Sequence, residues 1–196
     1  MWKDAEKTLK KDKYIGPLVK KFGHCTLKPK KKSEYFEDLV DAIVQQQLSL
    51  AAAATIFKRV KESLGGEVVP DKILRKRDET LRTCGLSYAK IRYLKNLSRK
   101  IESGKLKIES LGDFSDEEVM EELISVKGIG KWTAEMFLMF SLVRADIFPV
   151  DDLGLQNAFK KLIKRNIKPD RMAKIAERWK PYRTIASWYI WRSLEN

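Results

Sequence analysis

The sequence predicts an all-α protein, and three observations support that prediction. Apolar residues recur at helical spacing almost throughout the 196 residues, whereas the alternation typical of strands is hard to find. Serine or proline stands before many of these apolar segments, as expected where helices start. Glycine follows many of them, as expected where helices end. Together these patterns predict a chain of helices joined by turns.

Capping residues locate the helices of the first half of the chain. Ser33 is predicted to cap a helix that breaks near Leu48, and Ser49 is predicted to cap the next one, which stops at Gly65 and Gly66. The predicted helical segments are EYFEDLVDAIVQQQ, LAAAATIFKRVKESL, a short helix after Pro70, TLRTC before Gly85, and YAKIRYLKNLSRKIES from Ser87 to Gly104.

The second half continues the helical pattern. Ser115 and Glu118 have the spacing of a capping box at the start of DEEVMEELISV. A GIG turn then leads into the segment KWTAEMFLMFSLV, and further helices are predicted near 152–165, 169–179 and 182–194. No internal repeat and no low-complexity linker interrupts this order, so neither a solenoid nor a tethered second domain is indicated.

Charge and composition narrow the choice of partners. The chain has 40 lysines and arginines against 27 acidic residues, a formal net charge of +13. Such an excess attracts polyanions through counterion release, so nucleic acid is the first partner to consider, with a solvated charged surface as the alternative. No apolar run approaches the roughly 20 residues of a membrane span, and no signal-peptide pattern opens the chain. We expect no membrane contact, and we expect Cys25 and Cys84 to remain thiols.

The segment SVKGIGKWTA at 125–134 has the pattern of a helix-hairpin-helix. A Cβ at Gly128 or Gly130 would obstruct the turn or the close approach of another backbone. The second helix offers N–H groups and the positive end of its dipole to a phosphate oxygen, and Lys131 adds a cation. Glycines in helical turns also serve packing, so this pattern alone leaves a purely structural role open.

Two longer segments, SVKGIGKWTAEMFLMF and FPVDDLGL, resemble the hairpin and catalytic loop of the HhH-GPD superfamily of DNA base-excision glycosylases. Three others agree with its 3-methyladenine DNA glycosylase II family: DLVDAIVQQQLSLAAAATI, CGLSYAKIRYLKNLS and RWKPYRTIASWYIWRSL. The resemblance runs from about residue 12 to residue 194. It implies two helical lobes, 34–145 with the hairpin and 1–33 plus 146–196, with a catalytic cleft between them.

The resemblance also implies one catalytic aspartate. Asp152 fits best, because it opens the helix start DLGL in the register of the family. Asp151 is predicted to cap the helix instead. Some relatives align a Val-Asp pair with Val150 and Asp151, so Asp151 stays open as the alternative.

The activity implied is that of a monofunctional DNA glycosylase. Such an enzyme flips an alkylated purine, such as 3-methyladenine or 7-methylguanine, out of the duplex and hydrolyses its N-glycosidic bond. The branch that also cuts the backbone has a lysine where this chain has Trp132, and Lys131 lies about 100° away around the helix, so no lyase activity is expected. Two alternatives remain: a non-enzymatic hairpin module that binds DNA, and a glycosylase for another damaged base.

Further site residues follow from the same resemblance. The expected base pocket contains Trp132, Met136 and Trp191, and the helical stripe that carries Trp188 is expected to stay in the core. Met136 stands where well-known bacterial members have a tyrosine. The residues expected to contact DNA are Gln47, as the wedge that replaces the extruded base, with Gly128, Gly130, Lys131 and Thr133.

Relatives also hold a Na⁺ or K⁺ ion against a DNA phosphate with hairpin carbonyls, which match those of Ile124, Val126 and Ile129. No other cofactor is expected, because two cysteines cannot supply a four-cysteine iron–sulfur cluster. The expected partner is double-stranded DNA with damaged bases, bound by a monomer. The expected compartment is the cytoplasm of a bacterium or archaeon, or the nucleus of a eukaryote.

Overall fold

The computed structural model describes residues 1–194, and the contacts of the chain divide it into two compact units. The first unit combines Met1–Pro29 with the residues from Leu138 onward, and the second unit is Lys30–Phe137. The division expected from the sequence put these boundaries after residues 33 and 145. Residues 138–145 group with the first unit because they pack there: the Phe140 ring lies 5.7 Å from that of Trp191.

Helices form all the regular structure of the described residues, apart from short 3-10 turns at Lys32–Glu34, Ile108–Asp113 and Glu177–Trp179. The helices are α1 (Lys3–Leu9), α2 (Ile15–Phe22), α3 (Tyr35–Gln45), α4 (Leu50–Ser63), α5 (Pro70–Arg75), α6 (Asp78–Thr83), α7 (Tyr88–Glu102), α8 (Asp116–Ile124), α9 (Lys131–Phe140), α10 (Leu153–Ile163), α11 (Pro169–Ala176) and α12 (Arg183–Arg192). The all-α prediction is confirmed. Within the described part of the chain, no helix is long and apolar enough to cross a lipid bilayer.

Three of the predicted serine caps are confirmed. The hydroxyl oxygens of Ser49, Ser87 and Ser115 accept hydrogen bonds from the N–H groups of Ala52, Lys90 and Glu118, respectively, at 3.2 to 3.3 Å. The fourth prediction is wrong: Ser33 lies inside the 3-10 turn that precedes α3, so it does not cap that helix. Helices α1 and α2 were not predicted, because the residues in their N-cap positions, Trp2 and Tyr14, make no side-chain cap. The start of α2 is bound instead by the Asp12 carboxylate, which accepts from the N–H of Ile15 at 3.1 Å.

Helix α7 forms the centre of the second unit and packs against α5, α3 and α6. Its residues Ile91, Leu94 and Leu97 are fully buried, at the spacing of one helix face. From α3, Leu39 and Ile43 are equally buried. This packing makes α7 the support on which the segments around it rest.

Helix α12 forms the centre of the first unit and packs against α2 and α10. All residues from Thr184 to Ile190 are buried, which is typical of a helix surrounded by core on every side. Trp188 is among them, so its predicted place in the core is confirmed. The Tyr189 hydroxyl donates to the carbonyl of Gly23 at 2.7 Å and ties the N-terminal helices to this core.

The segment that joins α9 to α10 is tied to the start of α12. The Arg183 guanidinium donates to both carboxylate oxygens of Asp146, at 2.8 and 3.0 Å. The Thr184 hydroxyl donates to the carbonyl of Arg144 at 2.6 Å and accepts from the N–H of Ile147 at 2.9 Å. These bonds fix the backbone a few residues before Asp152.

We expect Thr184→Val to lower the free energy of unfolding by about 2 kcal/mol, because it leaves two partly buried backbone groups without their hydroxyl partner. Chemical denaturation monitored by circular dichroism measures the change. The matched control is Ser187→Ala, since Ser187 is equally buried but its hydroxyl donates only to Arg183 of its own helix. An equal decrease in the free energy of unfolding in the two variants would contradict a special role for the hydrogen bonds of Thr184.

Candidate functional site

Asp152 lies at the N-terminus of α10 and is half-buried. Its Oδ1 atom accepts a hydrogen bond from the N–H of Leu155 at 2.5 Å, which is the N-cap arrangement. The same oxygen accepts a second hydrogen bond from the indole N–H of Trp191 at 3.1 Å. Two donors from different helices therefore fix the orientation of this carboxylate.

The prediction that Asp151 caps the helix is wrong. Helix α10 begins at Leu153, so the residue in the capping position is Asp152. Asp151 is exposed to solvent, one residue further from the helix. Capping and catalysis were treated as separate tasks for the two acids, but capping occupies one oxygen of a carboxylate and is compatible with a second role.

Gly154 leaves room for the pair of Asp152 and Trp191. A Cβ at this position would lie 3.1 Å from Asp152 Oδ1 and 3.5 Å from Trp191 Nε1. This role of Gly154 was not predicted, although the glycine in DLGL is a visible signal. Trp191 was expected only as a pocket aromatic, and its hydrogen bond to Asp152 was not predicted either.

Trp132 and Met136 lie one turn apart on α9, and both are half-buried. Residues four apart share a helix face, so these two side chains are neighbours. They belong to the second unit, whereas Asp152 and Trp191 belong to the first. The four residues predicted for catalysis and base binding thus fall into two pairs, one in each unit.

The chain between α3 and α4 makes a tight turn that carries Gln47. The N–H of Leu48 donates to the carbonyl of Gln45 at 3.1 Å, and the backbone angles at Gln46 (φ −49°, ψ 126°) and Gln47 (φ 57°) are those of a type II turn. Glycine or asparagine is favoured at the position of Gln47, and a left-handed conformation of another residue costs roughly 1 to 3 kcal/mol. The Gln47 side chain is exposed.

Two residues hold this turn, Lys90 and Gln46, and neither was predicted to do so. The Lys90 ammonium donates to the carbonyls of Val44 and Gln46, both at 2.7 Å. The Gln46 side-chain amide donates to the carbonyl of Gly128 at 2.9 Å and to the hydroxyl of Thr133 at 3.2 Å. No local pattern signals these bonds, because their partners are 44 or more residues away in sequence.

The two glycines of the hairpin have different roles. Gly128 has a φ of 102°, and a Cβ on it would overlap the ring of Tyr93. A Cβ on Gly130 would meet no atom within 4 Å, and Gly130 has no left-handed backbone. Glycine is therefore needed at 128 by the turn and by its packing on Tyr93. The expectation that a Cβ at Gly130 obstructs the turn is wrong, which leaves only close approach by a partner as a reason for glycine there.

The hairpin's second helix begins at Lys131. Its first helical hydrogen bond runs from Ala134 N–H to the carbonyl of Gly130 at 3.1 Å, so the N–H groups of residues 131–133 precede the helical ladder. Lys131 is exposed, and its ammonium lies 3.7 Å from the Glu135 carboxylate. The Thr133 side chain is buried and accepts from Gln46, so only the backbone N–H of Thr133 remains suited to bind an anion.

The carbonyls expected to hold a cation belong to the end of α8 and the turn after it. Helix α8 ends at Ile124, and carbonyls in the last turn of a helix lie outside its hydrogen-bond ladder. The Val126 carbonyl accepts from the N–H of Ile129 at 2.9 Å, which leaves its second lone pair. Among the residues described, no group of three or more His, Cys, Asp or Glu side chains could hold a metal ion.

We expect Gly128→Ala to lower the free energy of unfolding by about 2 kcal/mol or more, since the new methyl group overlaps Tyr93 and the backbone is left-handed. Gly130→Ala is the matched control, and we expect it to change the free energy of unfolding by less than about 1 kcal/mol. Urea denaturation of both variants measures the difference. A Gly128→Ala variant as stable as Gly130→Ala would contradict this packing.

Comparison with known proteins agrees with this geometry. The chain matches the HhH-GPD superfamily of base excision DNA repair proteins over residues 40–182. It is 39% identical to DNA-3-methyladenine glycosylase 1 of Schizosaccharomyces pombe over 83% of this chain and 73% of that protein. It is 37% identical to an alkylbase DNA glycosidase-like protein of the same yeast over 97% of this chain and 93% of that protein.

A solved structure of a Schizosaccharomyces pombe protein is similar to this chain in fold. The 3-methyladenine DNA glycosylase of Schizosaccharomyces pombe in complex with abasic DNA has a TM-score of 0.90 to this chain at 36% identity. The match covers 98% of this chain and 97% of that one. Sequence and fold thus lead to the same group of proteins. The chain belongs to the HhH-GPD superfamily of base excision DNA repair proteins and, within it, to the family of 3-methyladenine DNA glycosylases.

Proposed function

We propose that this protein is a monofunctional DNA glycosylase that removes alkylated purines from double-stranded DNA. The observation that carries the proposal is the Asp152 carboxylate, oriented by Leu155 and Trp191. The names of its relatives and the net charge of +13 support it. A hairpin module that only binds DNA, the main alternative, would gain nothing from a carboxylate oriented in this way, since DNA is itself negatively charged.

The proposed chemistry needs one fixed negative charge and no general acid. A purine alkylated as in 3-methyladenine or 7-methylguanine carries a formal positive charge, which weakens its bond to the sugar. As this bond breaks, its electron pair leaves with the base and the deoxyribose gains oxocarbenium character. Asp152 stabilises that charge or orients the attacking water, whose oxygen forms the new bond to the sugar. The products are the free base and an abasic site.

Aromatic side chains provide the binding face for a cationic base. A cation over the face of an indole ring gains roughly 0.5 to 2 kcal/mol, and tryptophan is the best of the aromatic residues at this. We assign this role to Trp132 and Trp191. Met136, one turn after Trp132, is flexible and polarisable, so it adapts to bases of different shape. An adaptable side chain beside Trp132 favours a range of alkylated purines over a single lesion.

Hydrolysis without strand cleavage follows from the residues at the start of α9. A lyase of this superfamily needs a lysine amine to form a Schiff base with the sugar, and Trp132 stands at that position. The neighbouring Lys131 lies about 100° further around the helix. Its ammonium forms an ion pair with Glu135 instead. We therefore expect abasic sites and no strand breaks as the product.

DNA binding is assigned to residues of the second unit. Gln47 would fill the gap left by the extruded base, while Lys131 and the N–H groups of residues 131–133 would bind a phosphate. The absence of a side chain at Gly130 allows a sugar-phosphate backbone to approach closely. The carbonyls of Ile124, Val126 and Ile129 would hold a monovalent cation, which adds positive charge opposite the phosphate. The protein would act as a monomer, in the compartment that contains the genome.

We expect Asp152→Asn to bind damaged DNA but to release base about 10²-fold more slowly or worse, because the negative charge is lost. Asparagine caps helices as well as aspartate does, and its Oδ1 can still accept from Leu155 and Trp191, so the fold should be retained. The assay uses a duplex with a single 7-methylguanine and scores abasic sites after mild base, alongside binding by gel shift.

The control for this prediction is Asp151→Asn, which changes the net charge by the same amount. We expect this variant to keep most of the base-release activity. A reversed pattern would assign the chemistry to Asp151. Strand breaks formed without base treatment would contradict the hydrolase-only mechanism.

A further inference from the structure

One face of α7 supports both segments of the second unit that are assigned to DNA. Lys90 and Tyr93 lie three residues apart and therefore on the same side of this helix. Lys90 reaches the turn after α3, and the Tyr93 ring packs against Gly128 of the hairpin. The turn and the hairpin thus rest on a common rigid element.

Lys90 fixes the backbone on both sides of the point where α3 ends. Its ammonium donates to the carbonyl of Val44, in the last turn of the helix, and to the carbonyl of Gln46, in the turn that follows. Carbonyls in the last turn of a helix have no helical partner, and a lysine is a suitable donor for them. Burial lowers the pKa of Lys90 below its usual value, because it removes water from the ammonium.

Gln46 connects the same turn to the hairpin. Both hydrogens of its amide are used, one for the Gly128 carbonyl and one for the Thr133 hydroxyl. The three consecutive glutamines are directed differently: Gln45 donates to Asp41 of its own helix, Gln46 to the hairpin, and Gln47 is exposed. Of these three glutamines, Gln46 is the one that links the turn to the hairpin.

The backbone conformation of Gln47 requires such support. A left-handed glutamine is unfavourable by itself and persists where the surrounding contacts determine it more strongly than its own preference. Here the carbonyl of Gln46, directly before Gln47, is bound by Lys90, and the side chain of Gln46 is bound by the hairpin. These bonds leave the side chain of Gln47 exposed to solvent.

We propose that Lys90 and Gln46 are positioning residues for base extrusion, which hold the turn so that Gln47 is presented to the duplex in its inserting conformation. This inference rests on the proposed function, since insertion of Gln47 matters only to an enzyme that extrudes a base. The physical gain is preorganisation: a turn that is already ordered loses little conformational entropy when its side chain enters the stack.

Another role for a lysine in a DNA-binding protein is to contact phosphate, and the two roles predict different results. Loss of a phosphate contact weakens binding to every duplex and lowers the slope of log affinity against log salt concentration by about 1. Loss of a positioning contact affects extrusion, so it matters most where extrusion is difficult. A lesion in a base pair is harder to extrude than the same lesion opposite an abasic site.

The first experiment measures the turn in the free protein. Amide hydrogen exchange of residues 46–49 and 127–131 is compared in the wild type, Lys90→Met and the control Arg92→Met, which removes one positive charge from an exposed position of the same helix. We expect about tenfold faster exchange in Lys90→Met and no change in Arg92→Met, because opening of the turn is then less costly. Unchanged exchange at 46–49 in Lys90→Met would overturn the positioning role.

The second experiment measures extrusion by single-turnover base release at saturating enzyme. One duplex has 7-methylguanine paired with cytosine, and the other has it opposite an abasic analogue. We expect Lys90→Met and Gln46→Met to slow release from the paired lesion about tenfold, and from the unpaired lesion less than about twofold, since only the first requires a base pair to open. The matched control Gln45→Met should be unaffected on both, and Lys90→Arg should recover part of the paired rate.

The outcomes separate this inference from the proposed function. If the wild type releases base from neither duplex, the proposed function fails, and the exchange experiment still decides whether Lys90 holds the turn. If the wild type is active but Lys90→Met loses the same factor on both duplexes, or loses one unit of salt slope, Lys90 is a general or phosphate-binding residue and the positioning role is overturned.

Discussion

Two hydrogen bonds to one oxygen determine how the Asp152 carboxylate is held, and the first unit is organised around them. One donor, Leu155, belongs to the helix that Asp152 itself begins, and the other, Trp191, belongs to α12. A charge that stabilises a transition state must be in place before the reaction, because any reorientation during the reaction reduces the stabilisation. In the proposed mechanism, the core packing of α12 therefore keeps the Asp152 carboxylate in place.

Several other features of the first unit serve this same arrangement. Gly154 leaves the space in which the carboxylate and the indole meet. The Arg183 guanidinium donates to the carboxylate and the carbonyl of Asp146, and the Thr184 hydroxyl donates to the carbonyl of Arg144, so both hold the segment that leads to Asp152. Arg183 and Thr184 are neighbours at the N-terminus of α12, and Trp191 lies near its C-terminus. One helix therefore holds both the segment before Asp152 and the Asp152 carboxylate.

In the second unit, backbone strain lies at Gln47, the residue proposed to enter the duplex. Gln47 adopts a conformation that glycine would adopt more readily, yet it is a glutamine and it is exposed. Neighbouring contacts from α7 and the hairpin compensate for this local cost. Val143 and Lys164 of the first unit are left-handed as well, so strain of this kind is not confined to the residue assigned to the duplex.

Local chemistry explains what the sequence by itself determined. Helix periodicity and serine caps act over three or four residues, so most helices could be placed. The family resemblance predicted Asp152, Trp191 and Gln47 as site residues. Only the tertiary structure decided that Asp152 is also the cap, that Gly128 and Gly130 differ, and that Lys90 holds the turn before Gln47. The reason is physical: the bond from Lys90 to Gln46 spans 44 residues and exists only because α3 and α7 pack together.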